Sequence, residues 1–460
     1  MRATDMTRGK PARLIMAFAL PMMAGNICQQ LYTIVDAAFV GRFAGIDALA
    51  AVGAADWLCW LFLGVVMGFT QGFSVLISQR FGARDESGVR KAAAQSVLLT
   101  ALISLGVIVL SQSFMVPILR GLHTPDDILP QAVLYLRIIL CGVPIYAAYN
   151  VMASMLRAVG DSKTPLLAML IASLVNIALD GLFVIVFRWG VAGAAAATLI
   201  AQGSAALYCL KLVRRMPALR FGREDLKWDS ALARRLVFLG SPTAAQNVII
   251  GLGGIVVQRV INGYGSVFIA GFTATNKLYG IMEMAAVSYG AAIAAYAGQN
   301  YGAGNKGRLK NGVRSGVIMA LVTSCAIALS LFLLGRPVLS LFVDPEAAQR
   351  EEVLMVALRY LRFMLAGLFI LYLLYVYRSA LQGMGDTVTP MLSGGAEMVM
   401  RIGVALLLPV WLGQDGIFFA EPAAWLGAEV LLMITYYRKI RRLTFQEEAN
   451  GFCRHSRKGI

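Results

Sequence analysis

Leu20-Pro21-Met22-Met23-Ala24-Gly25-Asn26 runs on through Tyr32-Thr33-Ile34-Val35-Asp36 to Val40-Gly41-Arg42. The stretch is apolar over a membrane's thickness and carries one carboxylate, Asp36, near its outer end. An Asp at the centre of a spanning helix costs about 2.5–3.5 kcal/mol on insertion scales. A chain keeps such a group only where something pairs with it, protonates it or uses it.

The rest of the chain has the same character. Of 460 residues, 58% are hydrophobic and 14% charged, and the mean hydropathy is +0.70. A soluble chain would carry roughly a quarter charged residues. Twelve apolar runs span about 14–40, 48–79, 92–119, 130–156, 165–187, 191–213, 236–258, 266–297, 313–335, 353–381, 390–412 and 417–437. They predict an all-α polytopic membrane protein with twelve transmembrane helices.

The formal charge of +16 is placed by topology. With both termini in the cytoplasm, the inner segments collect Arg2, Arg8, Lys10 and Arg13, then Arg80, Arg84, Arg90 and Lys91, then Arg157 and Lys163. The central segment holds Lys211, Arg214, Arg215, Arg220, Arg223, Lys227, Arg234 and Arg235. Lys306, Arg308, Lys310, Arg314 and Arg378 follow, and a basic tail closes the chain. The opposite loops carry far fewer, as the positive-inside rule requires. A nucleic-acid partner is therefore not expected.

Six cysteines at 28, 59, 141, 209, 325 and 453 have no paired spacing, and the only imidazoles, His123 and His455, lie outside the helices. Neither a disulfide framework nor a metal or cofactor motif is expected. No small-residue cleavage signature marks the first run, so it is expected to remain in the mature protein.

Several pieces occur twice. Gln79-Arg80-Phe81-Gly82-Ala83 returns as Gln299-Asn300-Tyr301-Gly302-Ala303, 220 residues on, and Pro21 with Asn26 returns as Pro242 with Asn247. Ser154 to Pro165 returns as Ser379 to Pro390, identical at six of twelve positions. Each echo holds the same place in its half, which predicts two pseudo-symmetric six-helix bundles. The expected division is an N-terminal lobe at 1–213, a cytoplasmic linker at 214–235, and a C-terminal lobe with its tail at 236–460.

These residues resemble the multidrug and toxic compound extrusion (MATE) family of cation-coupled exporters. The likeness rests on the Pro…Asn…Tyr-x3-Asp…Val-Gly-Arg pattern of helix 1, the Gln-x-[Phe/Tyr]-Gly-Ala loops, the Gly-Asp-Ser/Thr turns, and Gly193-Ala194-Ala195-Ala196-Ala197-Thr198. Within the family the chain resembles the DinF-like branch. That resemblance implies a cation site in the N-terminal lobe from Asp36 and Tyr32 of helix 1, Asn176 and Asp180 of helix 5, and Thr198 of helix 6. It also makes Pro21 the point where helix 1 bends. The runs 236–258 and 353–381 lack the buried acids of the other branch, so no coupling site is expected in the C-terminal lobe.

Asn176 and Asp180, four residues apart, share one helix face. Two carboxyl groups in one dry cavity cannot both ionise cheaply, so the pair can carry a proton. The oxygens of Asp36, Asn176, Asp180 and Thr198 equally suit Na⁺. Glu397 and Arg401 have the acid-first spacing of a structural ion pair. Asn150, Lys277 and Glu283 are candidates to line a cavity.

The expected function is that of an H⁺- or Na⁺-coupled antiporter. It would export organic cations, drugs or toxic amphiphiles across the cytoplasmic (inner) membrane by alternating access, as a monomer among membrane lipids. The alternative is a lipid-linked saccharide flippase of the same superfamily, whose anionic substrate would select buried Arg and Lys. No enzyme is expected: the chain lacks a phosphate-binding loop, a G-x-S-x-G and an intramembrane His.

Overall fold

The computed structural model describes residues 3–122, 124–343 and 349–456, and these form helices and turns with no strand. His123 lies outside the described residues, as do the side chains of Tyr32, Cys453 and His455. The helices of the first half are α1 (Pro11–Phe39), α2 (Ile46–Gly82), α3 (Glu86–Gly121), α4 (Leu129–Cys141), α5 (Val143–Ala158), α6 (Lys163–Asp180) and α7 (Gly190–Arg215). The second half has α8 (Ser230–Ile261), α9 (Ser266–Gly302), α10 (Lys306–Ser340), α11 (Arg350–Gly383), α12 (Val388–Leu407), the short α13 (Pro409–Leu412) and α14 (Ala420–Ser456).

Among the described residues, ten stretches are long and apolar enough to cross a membrane. One of them, Val388–Leu443, has 56 residues, or about 84 Å of helix against a core of about 30 Å. The turn between α12 and α14 divides it into two crossings. The pair α4 and α5, bent by 47° at Gly142, makes one more. Pro144 at the start of α5 lacks the N–H that would continue the helix, which fixes the bend there. Divided in this way, the described residues make twelve spans, six in each half.

The duplicated sequence pieces fold alike. At the end of α2 the Ala83 amide donates to the Gln79 carbonyl, and at the end of α9 Ala303 donates to Gln299. Arg84 and Gly304 then take the same left-handed conformation, with φ of 59° and 71°. In the second echo Gly160 and Gly385 have φ of 83° and 81°. The acid that follows each accepts from the next helix: Asp161 from the Thr164 amide at 3.0 Å, Asp386 from the Thr389 amide at 3.1 Å. A side-chain oxygen thus satisfies an amide left orphaned at a helix start.

The chain forms two compact units. One comprises residues up to Asp5 together with Ala17–Gly251, the other Met6–Met16 and the remainder from Leu252. In the first unit the segment after α7 is packed, with Met216 and Leu219 buried in a core shared with Phe73, Leu156 and Leu236. The Gln95 side-chain amide also donates to the Lys227 carbonyl at 2.6 Å. The first part of α8 belongs here because two glycines admit it. A Cβ on Gly68 would lie 2.4 Å from the Ala244 Cα, and one on Gly72 would lie 2.4 Å from the Gly240 Cα.

The second unit is centred on stacked rings. Phe268 and Phe418 lie 5.4 Å apart, Phe418 and Tyr360 5.1 Å, and Tyr360 and Phe272 4.3 Å. Here one sequence expectation is corrected. Arg378, counted among the inner-loop cations, lies within α11, buried, and donates to Glu397. A guanidinium that finds a carboxylate on a neighbouring helix can stay inside, whereas the positive-inside pattern describes cations left to solvent.

Candidate functional site

Both acids singled out in the first half stand beside a break in helical regularity. Asp36 comes four residues before a π-helical turn at Val40–Ala44, and Asp180 comes immediately before another at Gly181–Val186. The two π turns pack against each other, and both pack against α7. A π turn inserts one residue into the helical ladder and rotates the side chains before it relative to those after it. This local irregularity brings α1 and α6 together at their carboxyl groups.

The Asp36 and Asp180 side chains meet. Neither forms a salt bridge to a basic side chain among the described residues, and Asp180 and its face-mate Asn176 are buried. Apart from that contact between the two acids, several polar atoms here have no hydrogen-bond partner among the described residues. They are Asp36 Oδ1, both oxygens of Asp180, both amide atoms of Asn176, and Thr198 Oγ1 on the adjoining α7. Buried polar groups without partners are rare because each costs free energy. The donor set is oxygen-rich and hard, with two carboxyl groups, an amide and a hydroxyl, so it fits Na⁺ as well as a shared proton. Among the described residues no group of three His, Cys, Asp or Glu side chains is set to hold a metal ion.

Two further residues belong to this region and were not singled out from the sequence. Gln202 lies one turn beyond Thr198 on α7, buried, with its carbonyl oxygen also unpartnered. Its i, i+4 spacing from Thr198 is the signal that could have found it. Asp56 of α2 lies within charge range of Asp36. It is an acid inside an apolar run, the feature that marked Asp36.

The remaining candidates are spread more widely. Pro21 lies within α1, which continues through it. Asn150 is buried on α5 and donates to the Tyr146 carbonyl one turn back at 2.9 Å. Lys277 is exposed on α9, whereas Glu283 of the same helix accepts from the Tyr375 hydroxyl at 2.6 Å. Glu397 and Arg401 do pair, at 3.0 Å, within a larger network. Arg378 reaches Glu397 at 2.7 Å and Arg401 reaches Glu421 at 2.8 Å. Cys28, Cys59, Cys141, Cys209 and Cys325 are free thiols.

The MatE family model matches the chain twice, over residues 21–182 and 242–407, one match in each half. It is 30% identical over 441 residues to "Probable multidrug resistance protein YpnP" of Bacillus subtilis (strain 168), covering 95% of this chain and 97% of that one. It is 28% identical over 427 residues to "Probable multidrug resistance protein NorM" of Thermotoga maritima, covering 90% and 88%. Among solved structures, one titled "Crystal structure of MATE in the bent conformation" superposes with a TM-score of 0.89 at 22% identity, covering 97% and 99%. At that identity the likeness shows the fold.

Proposed function

The chain belongs to the MatE family of membrane transporters, and from that premise we propose that it is an H⁺- or Na⁺-coupled antiporter of the DinF-like branch. It exports organic cations, drugs or toxic amphiphiles across the cytoplasmic membrane by alternating access, as a monomer with both termini in the cytoplasm. The reading is supported by the names of its curated relatives, multidrug resistance proteins. One observation carries it: two carboxyl groups from different helices meet inside the first unit with no basic partner among the described residues.

The mechanism follows from electrostatics. With the site empty of cations, Asp36 and Asp180 repel each other, and their charge attracts a positively charged passenger. A proton shared by the pair, or a Na⁺ held by Asp36, Asn176, Asp180 and Thr198, cancels that charge. Tyr32 stands one turn before Asp36 on the same helix. Loading the ion removes the repulsion between α1 and α6 and weakens the hold on the passenger, which leaves outward. Pro21 supplies no amide hydrogen to the preceding turn, so α1 can bend there as the charge on Asp36 changes. A flippase of anionic saccharide lipids would need buried cations where this site has acids.

The test uses cells that lack their own exporters. The wild-type chain raises resistance to cationic dyes, and Asp36→Asn and Asp180→Asn abolish the gain at equal membrane abundance. Resistance that survives both substitutions overturns the coupling model. The ion is identified on purified protein. If Na⁺ is the coupling ion, a concentration 100-fold above its dissociation constant stabilises the fold by about 2.7 kcal/mol, and Asp180→Asn removes that gain. With H⁺ alone, Na⁺ leaves stability unchanged and collapsing the proton gradient stops export.

A further inference from the structure

Four charged side chains are buried in the second unit, Glu397, Glu429, Arg378 and Arg401, and Glu283 and Glu421 are half-buried. Glu397 accepts from both arginines, Glu421 accepts from Arg401, and Glu283 accepts from the Tyr375 hydroxyl. Glu429 of α14 has none of this. It is 5% exposed, and neither of its oxygens has a hydrogen-bond partner among the described residues.

The groups that face Glu429 come mainly from α11. The Arg378 guanidinium lies within charge range but bonds Glu397 instead, and the Tyr377 hydroxyl lies nearby, paired with Tyr437. From α12 come Glu397 and Arg401, bonded to each other. The neighbouring α10 carries charges only towards its ends, at Lys306 to Arg314 and at Arg336. Asp415, in the turn before α14, is paired with Arg359. Among the described residues, no element packed against α14 therefore brings Glu429 a cation that is not already bound to another acid. A bare carboxylate there would have little solvent and no donor.

We propose that Glu429 is a proton-binding site of the second unit, carrying its proton while Arg378 is bonded to Glu397 and releasing it when Arg378 turns to Glu429. On release the O–H bond breaks, the electron pair stays on the carboxylate and the proton passes to water. The guanidinium then has two carboxylates within reach, one on α12 and one on α14. Arg401 continues to hold Glu397 and Glu421, so the exchange costs no unpaired charge. Protonation of one side chain thus decides which neighbouring helix α11 is bonded to. The use of this proton in transport rests on the antiporter reading, but its presence does not.

Infrared spectroscopy of the purified full-length chain in lipid discs, with and without carboxyl-¹³C glutamate, tests the proposal. At neutral pH a protonated-carboxyl C=O band is expected that shifts with the label. It should disappear in Glu429→Gln and persist in Asp36→Asn and Asp180→Asn. Glu429→Asp guards against misfolding of the glutamine variant, since it should replace the glutamate-labelled band with an unlabelled one. A wild-type spectrum without a label-sensitive band overturns the proposal, as does a band that survives Glu429→Gln unchanged. Where the wild-type chain exports a dye, Glu429→Gln should lower the proton count per dye by one, and an unchanged count overturns the coupling. Should the wild type export nothing, the antiporter reading fails while the infrared result still decides the site.

Discussion

Replacing Glu397 by Gln should be the most damaging single change in the buried network of the second unit. Its two carboxylate oxygens accept from Arg378 at 2.7 Å and from Arg401 at 3.0 Å. After the substitution Arg401 keeps Glu421 at 2.8 Å, but Arg378 loses the acid it is bonded to and has only Glu429 to turn to. Removing one partner of a buried pair costs about 3–5 kcal/mol, and the loss reaches that range while Glu429 keeps its proton. Arg378→Gln is milder, because Glu397 retains Arg401, and the loss is that of one charge-assisted hydrogen bond, about 1.5–3 kcal/mol. The double variant Arg378→Gln/Glu397→Gln removes both charges and should cost less than Glu397→Gln alone, giving a coupling energy of several kcal/mol. The assay is the fraction of detergent-solubilised protein that stays monodisperse after heating, measured for all four members of the cycle. Additive losses would refute the reasoning, since they would mean that the two residues do not compensate each other.

Two further predictions concern the first unit. On α2, Gly68→Ala and Gly72→Ala drive a methyl to 2.4 Å from the backbone of α8, whereas a Cβ on Gly64 meets Asn247 at an ordinary 3.7 Å. The first two should cost about 1–3 kcal/mol by overpacking, and Gly64→Ala should be neutral or stabilising by up to about 1 kcal/mol; equal effects in the heat assay would contradict the close approach. In the turn before α3, the Gly88 amide and then Arg80 hold the Asp85 carboxyl below the ordinary value of 3.8. The stability it adds is present above that value and is lost as pH falls through the folded-state value. Asp85→Ala should therefore cost about 0.5–2 kcal/mol at neutral pH, with the gap to wild type closing in acid; a gap that stays constant down to low pH would show that the charge contributes nothing.

How much of the site could be read in the chain depends on the kind of signal each residue leaves. Asp36 and Asp180 stand out because an acid in an apolar run is costly wherever the helix goes. The i, i+4 rule places Asn176 beside Asp180 and Arg401 beside Glu397 without any knowledge of neighbours. That rule stops at the edge of one helix. Arg378 and Glu421 join Glu397 and Arg401 across α11, α12 and α14, and local spacing carries no trace of that meeting. Asp56 and Glu429 were as visible as Asp36, but the resemblance to a known branch gave them no role.

The sequence by itself determined that the chain crosses a membrane in twelve helices and that its halves are copies. Both follow from local chemistry: the length of each apolar run, the sidedness of the basic loops, and turn residues repeated some 220 positions apart. Only the tertiary structure decided which acid has a partner. Asp36 and Asp180 meet because π turns at the ends of α1 and α6 pack together, while Glu397 is neutralised twice and Glu429 has no partner among the described residues. In a medium of low dielectric the state of a carboxyl group is set by what lies within a few ångströms of it, and that distance is fixed by packing between helices far apart in the chain.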